Sequence, residues 1–158
     1  MLRLRLPPIG NRRPLRRGTD AVGLILDSSV LIGAERKGLN ARRALAAIAA
    51  HVAGEDVAIS VITLIELAHG AARANTPERI SSRRQFLDEL VAGLPVHPVT
   101  IPVALRAGQI DGVNAAQGVR VALSDLLIGV TALELGYRVA TANIRHFQMT
   151  PGLEIFNM

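Results

Sequence analysis

The chain has 158 residues, which suggests a single domain, and it contains no cysteine. The missing cysteines exclude disulfides, cysteine-ligated zinc, iron–sulfur clusters and thiol nucleophiles, and they fit the reducing environment of the cytoplasm. The formal net charge is +5, and no apolar run reaches the ~20 residues of a spanning helix, which excludes an integral membrane protein.

The whole excess of positive charge lies in the first 20 residues, which hold six arginines and one acid, Asp20. The prolines and glycines of this segment leave no amphipathic period, so residues 1–20 are predicted to be a disordered basic extension. Residues 21–158 are balanced in charge and are predicted to form the folded domain. Two interpretations of the extension stay open: an RNA-attracting tail, or an inert leader from an upstream start codon.

Short apolar runs alternate with longer helical patterns along the rest of the chain. The first run ends at Asp27 and is continuously apolar, which is typical of a buried parallel strand. The predicted strands are Val22–Leu26, Val57–Ile59, Val96–Val99, Arg138–Ala140 and Leu153–Phe156.

Capping residues mark where the helices begin and end. The predicted N-caps are Asn40, Ser60, Thr76 and Ser124, and Gly136 is a predicted C-cap. The predicted helices begin at Ser28 and then cover about 41–52, 61–74, 77–93, 100–116, 125–135 and 143–147. Strands separated by helices predict an α/β fold, with a mostly parallel sheet of four to five strands and helices on both faces.

Polar side chains stand at or near the ends of these strands, where ligands gather in an open α/β sheet. Asp27 ends the first strand, and Glu66 lies two turns into the helix after the second. Asp125 starts the helix before the fourth strand, and Asn143 follows that strand. A helix N-cap explains Asp27 equally well, and a complement to the helix dipole explains Asp125.

Glu66 is harder to explain structurally. Its helix, with the sequence VITLIELA, is apolar enough to be predicted buried on most sides. A buried carboxylate without a partner is costly, so Glu66 is expected to have a cation, a hydrogen-bond donor or a proton beside it. The three acids together are more informative than any one of them.

Three converging carboxylates would need a cation. Repulsion between neighbours is about 4 kcal/mol at ~4 Å and an effective dielectric near ~20. Oxygen ligands without cysteine or clustered histidine favour Mg²⁺, for which Mn²⁺ can substitute, over zinc. A bound Mg²⁺ lowers the pKa of a water and neutralises charge on phosphate oxygens, so the pattern indicates hydrolysis of a phosphate ester.

Three other phosphate-handling motifs do not match. Ser29 stands where an aspartyl phosphatase has its second aspartate, two residues after Asp27. Lys37, the only lysine of the chain, does not follow a late strand as the lysine of a phospho-receiver does. Leu39 stands where a P-loop has its lysine.

Four separated segments, in order, resemble those of PIN-domain ribonucleases, specifically the VapC-type toxins of bacterial toxin–antitoxin pairs. The segments are GLILDSSVLI with Asp27, ISVITLIELAHG with Glu66, LSDLLIGVTALELGYRVAT with Asp125, and TANIRHF with Thr141 and Asn143. The resemblance spans about residues 22–158. It implies a PIN-like three-layer fold.

The resemblance also implies a function: a metal-dependent endoribonuclease that hydrolyses RNA phosphodiester bonds as the toxin of a pair. Asp27, Glu66 and Asp125 would bind Mg²⁺ or Mn²⁺, and Thr141 and Asn143 would orient water or phosphate. The implied partners are an RNA substrate, a second copy of the chain in a homodimer, and a small VapB-like antitoxin that covers the acidic cleft.

Asn143 departs from many PIN domains, which carry a fourth acid at this position. The neutral amide adds no charge, which weakens the case for a second metal ion without removing the primary site. His146 is interpreted as a surface or helix-end residue, with an approach to RNA as the alternative. The candidate residues for binding RNA phosphates at the cleft rim are Arg42, Arg43, Arg83, Arg84 and Arg145. The alternative interpretation of each is an arginine on a solvent-exposed helix face with no role in binding.

Two other functions stay open. A PIN-like fold with a weakened site would serve as an RNA- or protein-binding module, and Asn143 is the one feature that favours this function. A metal-dependent phosphohydrolase of small molecules is the other, although the chain has no recognisable nucleotide-binding loop.

Overall fold

A computed structural model describes residues 23–52 and 54–158. The predicted basic extension over residues 1–20, and Val22 of the first predicted strand, lie outside the described residues. The strands are β1 (Gly23–Leu26), β2 (Asp56–Ser60), β3 (Val96–His97), β4 (Arg138–Thr141) and β5 (Ile155–Asn157). The helices are α1 (Ser28–Arg36), α2 (Ala41–His51), α3 (Val61–Ala72), α4 (Pro77–Gly93), α5 (Ile101–Ala116), α6 (Leu123–Leu135) and α7 (Ile144–Phe147). Within the described ranges, none of these helices has the length and apolar character to cross a membrane.

The five strands form one parallel sheet in the order β3-β2-β1-β4-β5. The order extends from β1 in two directions, with β2 and β3 on one side and β4 and β5 on the other. The switch point therefore lies between β1 and β4, and a crevice for ligands forms there at the carboxyl ends of the strands. The predicted α/β fold with a parallel sheet of four to five strands is confirmed.

Burial of β1 explains its continuous apolar sequence. Leu24 and Leu26 pack into one core cluster with Leu90 of α4, and Ile25 packs into another with Ile128 of α6. Successive side chains of a strand point to opposite faces, so β1 has no solvent-facing side. Helices α1, α2 and α4 contribute to the first cluster, and α6 and α7 to the second, which gives the predicted three layers.

Three of the predicted N-caps are confirmed. The side-chain oxygens of Asn40, Ser60 and Thr76 each accept a hydrogen bond from a backbone N–H two or three residues further on, at 2.9–3.3 Å. Gly136 ends α6 with φ 71°, the left-handed conformation that favours glycine.

Several predicted boundaries differ from those of the structure by one or two residues: β5 is predicted over 153–156 and α3 over 61–74, and α6 and β3 differ for clear physical reasons. Helix α6 begins at Leu123, and its N-cap is Ala122, whose carbonyl accepts a hydrogen bond from Leu126 N–H at 3.0 Å. Ser124 is therefore inside the helix. Strand β3 has two residues because Pro98, which has no N–H, cannot continue the ladder with β2.

Substitution of Gly23 by alanine is expected to destabilise the protein by about 1–3 kcal/mol because no side chain fits there. A Cβ at Gly23 would lie 2.6 Å from Asp56 O and 2.8 Å from the Tyr137 ring. Chemical denaturation of the purified variant measures the change in the free energy of unfolding.

Gly33 is the matched control. It lies inside α1, where an added Cβ would meet no described atom within 4 Å. Gly33→Ala is expected to raise the free energy of unfolding by about 0.5–1 kcal/mol, since alanine favours a helix over glycine. Equal effects of the two substitutions would contradict the close packing at Gly23.

Candidate active site

Asp27 and Thr141 lie at the switch point of the sheet. Asp27 follows the last residue of β1, and Thr141 is the last residue of β4. The Asp27 N–H donates a hydrogen bond to Ala140 O at 2.9 Å, which continues the ladder between the two strands. Both residues are buried, with Asp27 4% exposed and Thr141 fully enclosed.

The Asp27 carboxylate is held through one of its two oxygens. Its Oδ2 accepts hydrogen bonds from Ser29 Oγ at 2.6 Å and from Thr141 Oγ1 at 2.9 Å. Asp27 occupies the N-cap position of α1, yet its side chain makes no capping hydrogen bond. The cap interpretation of Asp27 is therefore wrong, and the carboxylate points into a polar cluster between β1, α1 and β4.

The same two hydroxyls also hold the chain beyond β4. Ser29 Oγ accepts a hydrogen bond from Ala142 N–H at 3.0 Å, and Thr141 Oγ1 accepts one from Asn143 N–H at 2.9 Å. Sequence reasoning assigned Thr141 to water or phosphate and did not include Ser29. The signal for Ser29 was its place two residues after Asp27, in the first turn of the following helix.

Helix α3 is covered on most of its sides, as predicted. Thr63, Leu67 and Ala71 form its buried face, and the helix contacts α1, α4, α6 and β2. The exposed residues, which include Ile65 and His69, fall along one stripe of the helix.

Glu66 is half-buried, and its carboxylate has a hydrogen-bond donor beside it, as expected for an acid in an apolar helix. Its Oε2 accepts a hydrogen bond from Ser28 Oγ at 2.6 Å. Ser28 is the first residue of α1, so this bond joins the two helices that follow β1 and β2. Among the described residues a neutral hydroxyl satisfies this carboxylate, and neither an arginine nor Lys37 does.

Asp125 lies in the first turn of α6, at the third helical residue, because that helix begins earlier than predicted. Its side chain is 14% exposed, and its Oδ2 lies 3.1 Å from Nδ1 of His146 in α7. The His146 side chain is 55% exposed. His146 is thus a surface residue, as predicted, but its contact with Asp125 was not foreseen.

The pKa of Asp125 shows that the three acids share one electrostatic environment. Burial raises the pKa of its carboxyl above the usual 3.8, and the neighbouring His146 opposes that rise. The negative charges of Asp27 and Glu66 raise the pKa further. The structure therefore places Asp27 and Glu66 near enough to Asp125 for their charges to raise its pKa.

The donor set fits a hard cation in its chemistry. For each of Asp27, Glu66 and Asp125, the protein partners among the described residues contact only one carboxylate oxygen, Oδ2 or Oε2. The second oxygen of each remains for another ligand, and Mg²⁺ prefers such oxygens. As they stand, however, no three His, Asp or Glu side chains in the part of the chain that the structure describes are grouped closely enough to hold a metal ion.

Asn143 and the candidate arginines differ in their access to this region. Asn143 is exposed at the entry to α7, and Arg145 is exposed in α7 next to His146. Arg83 is engaged elsewhere: it donates hydrogen bonds to Glu35 at 3.0 Å and to Gly70 O at 2.7 Å. Arg83 therefore serves the packing of α1, α3 and α4 rather than the cleft rim.

Comparisons with known proteins agree with this architecture. A family model described as "PIN domain" matches residues 24–152. Ribonuclease VapC10 of Mycobacterium tuberculosis is 34% identical over 126 residues, which cover 80% of this chain and 86% of that protein.

Two solved structures extend the comparison. DNA-bound VapBC from Salmonella typhimurium superposes with a TM-score of 0.70 at 27% identity, over 86% of this chain and 98% of that one. VapBC-5 from Mycobacterium tuberculosis, a member of the VapBC family of toxin–antitoxin systems, gives a TM-score of 0.63 at 26% identity, over 87% of this chain and 98% of that one. Since the family model spans most of the chain, this chain belongs to the PIN-domain family.

Proposed function

We propose that the chain is a metal-dependent endoribonuclease that hydrolyses RNA phosphodiester bonds and acts as the toxin of a toxin–antitoxin pair. The observation that carries the proposal is the group of three carboxylates near the switch point, each held by the protein through one oxygen, with the charges of Asp27 and Glu66 acting on Asp125. A relative with 34% identity is named a ribonuclease, which supports RNA as the substrate.

In this proposal Asp27 and Asp125 bind Mg²⁺ directly, or Mn²⁺ in its place, and Glu66 completes the set or holds a water. When bound, the cation supplies a water of lowered pKa and neutralises charge on the scissile phosphate. The carboxylates would have to come closer together to enclose it, because the described acids are not grouped closely enough to hold a metal ion. Few of them are needed, since a bound Mg²⁺ keeps several of its waters.

The chain's own residues orient the reactants. Ser29 and Thr141 fix Asp27 through Oδ2, so that Oδ1 is presented in a constant direction. Asn143, exposed beside this cluster, contacts water or phosphate through its amide. The chain has few aromatic residues on which bases could stack, so we expect its contacts with RNA to be made to phosphates. Arg145 is the residue proposed to bind a phosphate next to the scissile one.

The proposed setting is the cytoplasm, where RNA and an inhibitory partner are both present. The related structures from Salmonella typhimurium and Mycobacterium tuberculosis are VapBC assemblies. We therefore propose that a small VapB-like antitoxin binds this chain and covers the acidic cleft, so that cleavage begins only when the antitoxin is lost.

A second copy of the chain is the proposed partner of α5. Ile101 and Leu105 are 78% and 59% exposed on this helix. Gly108 and Gly112 continue the same face, at seven and eleven residues from Ile101, and an added Cβ at either would meet no described atom within 4 Å. Exposed apolar residues followed by small ones allow a second helix to approach closely, which supports a homodimer.

Asp27→Asn and Asp125→Asn are each expected to lower RNA cleavage by roughly 100-fold or more, since each removes a charge from the metal site. Cleavage of a labelled RNA by the purified protein with Mg²⁺ or Mn²⁺ measures the effect, and EDTA is expected to abolish wild-type cleavage. Expression of the wild type alone is expected to arrest growth, whereas expression of the variants is not.

The matched control is Glu134→Gln, on the opposite face of α6 from Asp125. Glu134 pairs with Arg106 at 2.8 Å, and its loss is expected to leave cleavage unchanged. Undiminished cleavage in both aspartate variants would refute the site. Wild-type protein that binds RNA without cleaving it would favour the binding-module alternative.

Asp125→Asn is also expected to raise the midpoint of thermal unfolding of the metal-free protein at pH 7. Burial and the charges of Asp27 and Glu66 raise the pKa of Asp125 above 3.8, so its ionised form destabilises the folded state. This destabilisation is absent below pH 3.8 and grows as the pH rises through the raised pKa. Thermal unfolding in EDTA is thus expected to show a difference that shrinks as the pH is lowered, and a lower midpoint at pH 7 would contradict it.

Leu105→Glu is expected to convert the proposed dimer to a monomer, because it places a charge in the α5 face. Light scattering coupled to size-exclusion chromatography measures the mass. Val91→Glu is the control, since Val91 is 51% exposed on α4, away from α5. A wild-type monomer, or a dimer that survives Leu105→Glu, would exclude this interface.

A further inference from the structure

Two adjacent serines begin α1 and donate to different acids. Ser28 Oγ donates to Glu66 Oε2 and Ser29 Oγ donates to Asp27 Oδ2, each at 2.6 Å. Consecutive helical residues point about 100° apart, so one turn of α1 contacts both the end of β1 and the neighbouring α3. Only the bond to Asp27 is local in sequence, whereas that to Glu66 joins residues 38 positions apart.

The two acids differ in how much they depend on their serine. Asp27 has a short, buried side chain and a second donor, Thr141, on the same oxygen. Glu66 has a longer side chain, is half-buried, and has Ser28 as its only hydrogen-bond partner among the described residues. Without Ser28, several rotamers are open to Glu66.

Electrostatics would move an untethered Glu66 away from the site. Glu66 and Asp125 carry like charges, and solvent lies on the exposed side of α3. A lysine or arginine partner would hold Glu66 but would also cancel its charge. A serine hydroxyl holds one oxygen and leaves the negative charge for a cation.

We propose that Ser28 is a positioning residue that tethers Glu66 Oε2 and keeps the charged carboxylate directed toward Asp27 and Asp125. This inference rests on the proposed function, because the tether matters only if the three acids bind a cation. Ser28 acts through Glu66 and contacts neither the cation nor the RNA.

The experiment measures Mn²⁺ binding to the full chain by calorimetry. Ser28→Ala is expected to weaken binding about 10-fold, the lower end of what loss of a residue supporting a metal ligand costs. Its thermal midpoint is expected to stay near that of the wild type, since alanine favours a helix. Ser28→Thr keeps the hydroxyl and is expected to restore most of the affinity. Ser82→Ala, at an exposed position in α4, is the matched control and is expected to leave affinity unchanged.

A double-variant cycle separates a tether from a direct role. In a Glu66→Ala background, Ser28→Ala is expected to cause no further loss of Mn²⁺ affinity, because its target is gone. A further loss of similar size would overturn the inference, as would Ser28→Ala binding Mn²⁺ as tightly as the wild type. If the wild type itself does not bind Mn²⁺, the proposed metal site is refuted together with the tether. If the wild type binds Mn²⁺ and Ser28→Ala binds it equally well, only the tether is refuted.

Discussion

Repulsion among three like charges is the constraint on which the arrangement of this fold depends. A parallel sheet with a switch point brings the ends of β1 and β4 together, and α3, which follows β2, and α6, which precedes β4, add further carboxylates to the same edge. Such a group stays in place only if other interactions fix each acid. Here hydroxyl groups from α1 and β4 donate hydrogen bonds to Glu66 and Asp27. The imidazole of His146, from α7, contacts Asp125.

Most of the groups that donate hydrogen bonds to the three acids are neutral, and neutral donors suit a site that binds a cation. Full ion pairs would relieve the repulsion between the acids, but they would also compete with the cation for the same oxygens. Hydroxyl donors occupy one oxygen of a carboxylate and leave its charge intact. The cost is a folded state in which burial and then the charges of Asp27 and Glu66 raise the pKa of Asp125.

Sequence patterns predicted the scaffold and the acids because both follow from local chemistry. The continuous apolar run of β1 marks a strand buried on both faces, and Asp27 stands at its end. The partners of the acids were not predictable in the same way. Ser28 meets Glu66 only through the packing of α1 on α3, and His146 meets Asp125 only through the position of α7.

The packing of the helices that bring these partners to the acids also depends on Arg83, which lies outside the site. From α4 it bonds to Glu35 near the end of α1 and to the Gly70 carbonyl near the end of α3, the two helices that carry Ser28 and Glu66. One guanidinium therefore links these helices near their C-terminal ends. A substitution at Arg83, which bonds to none of the three acids, is consequently expected to change how closely Ser28 and Glu66 are held together.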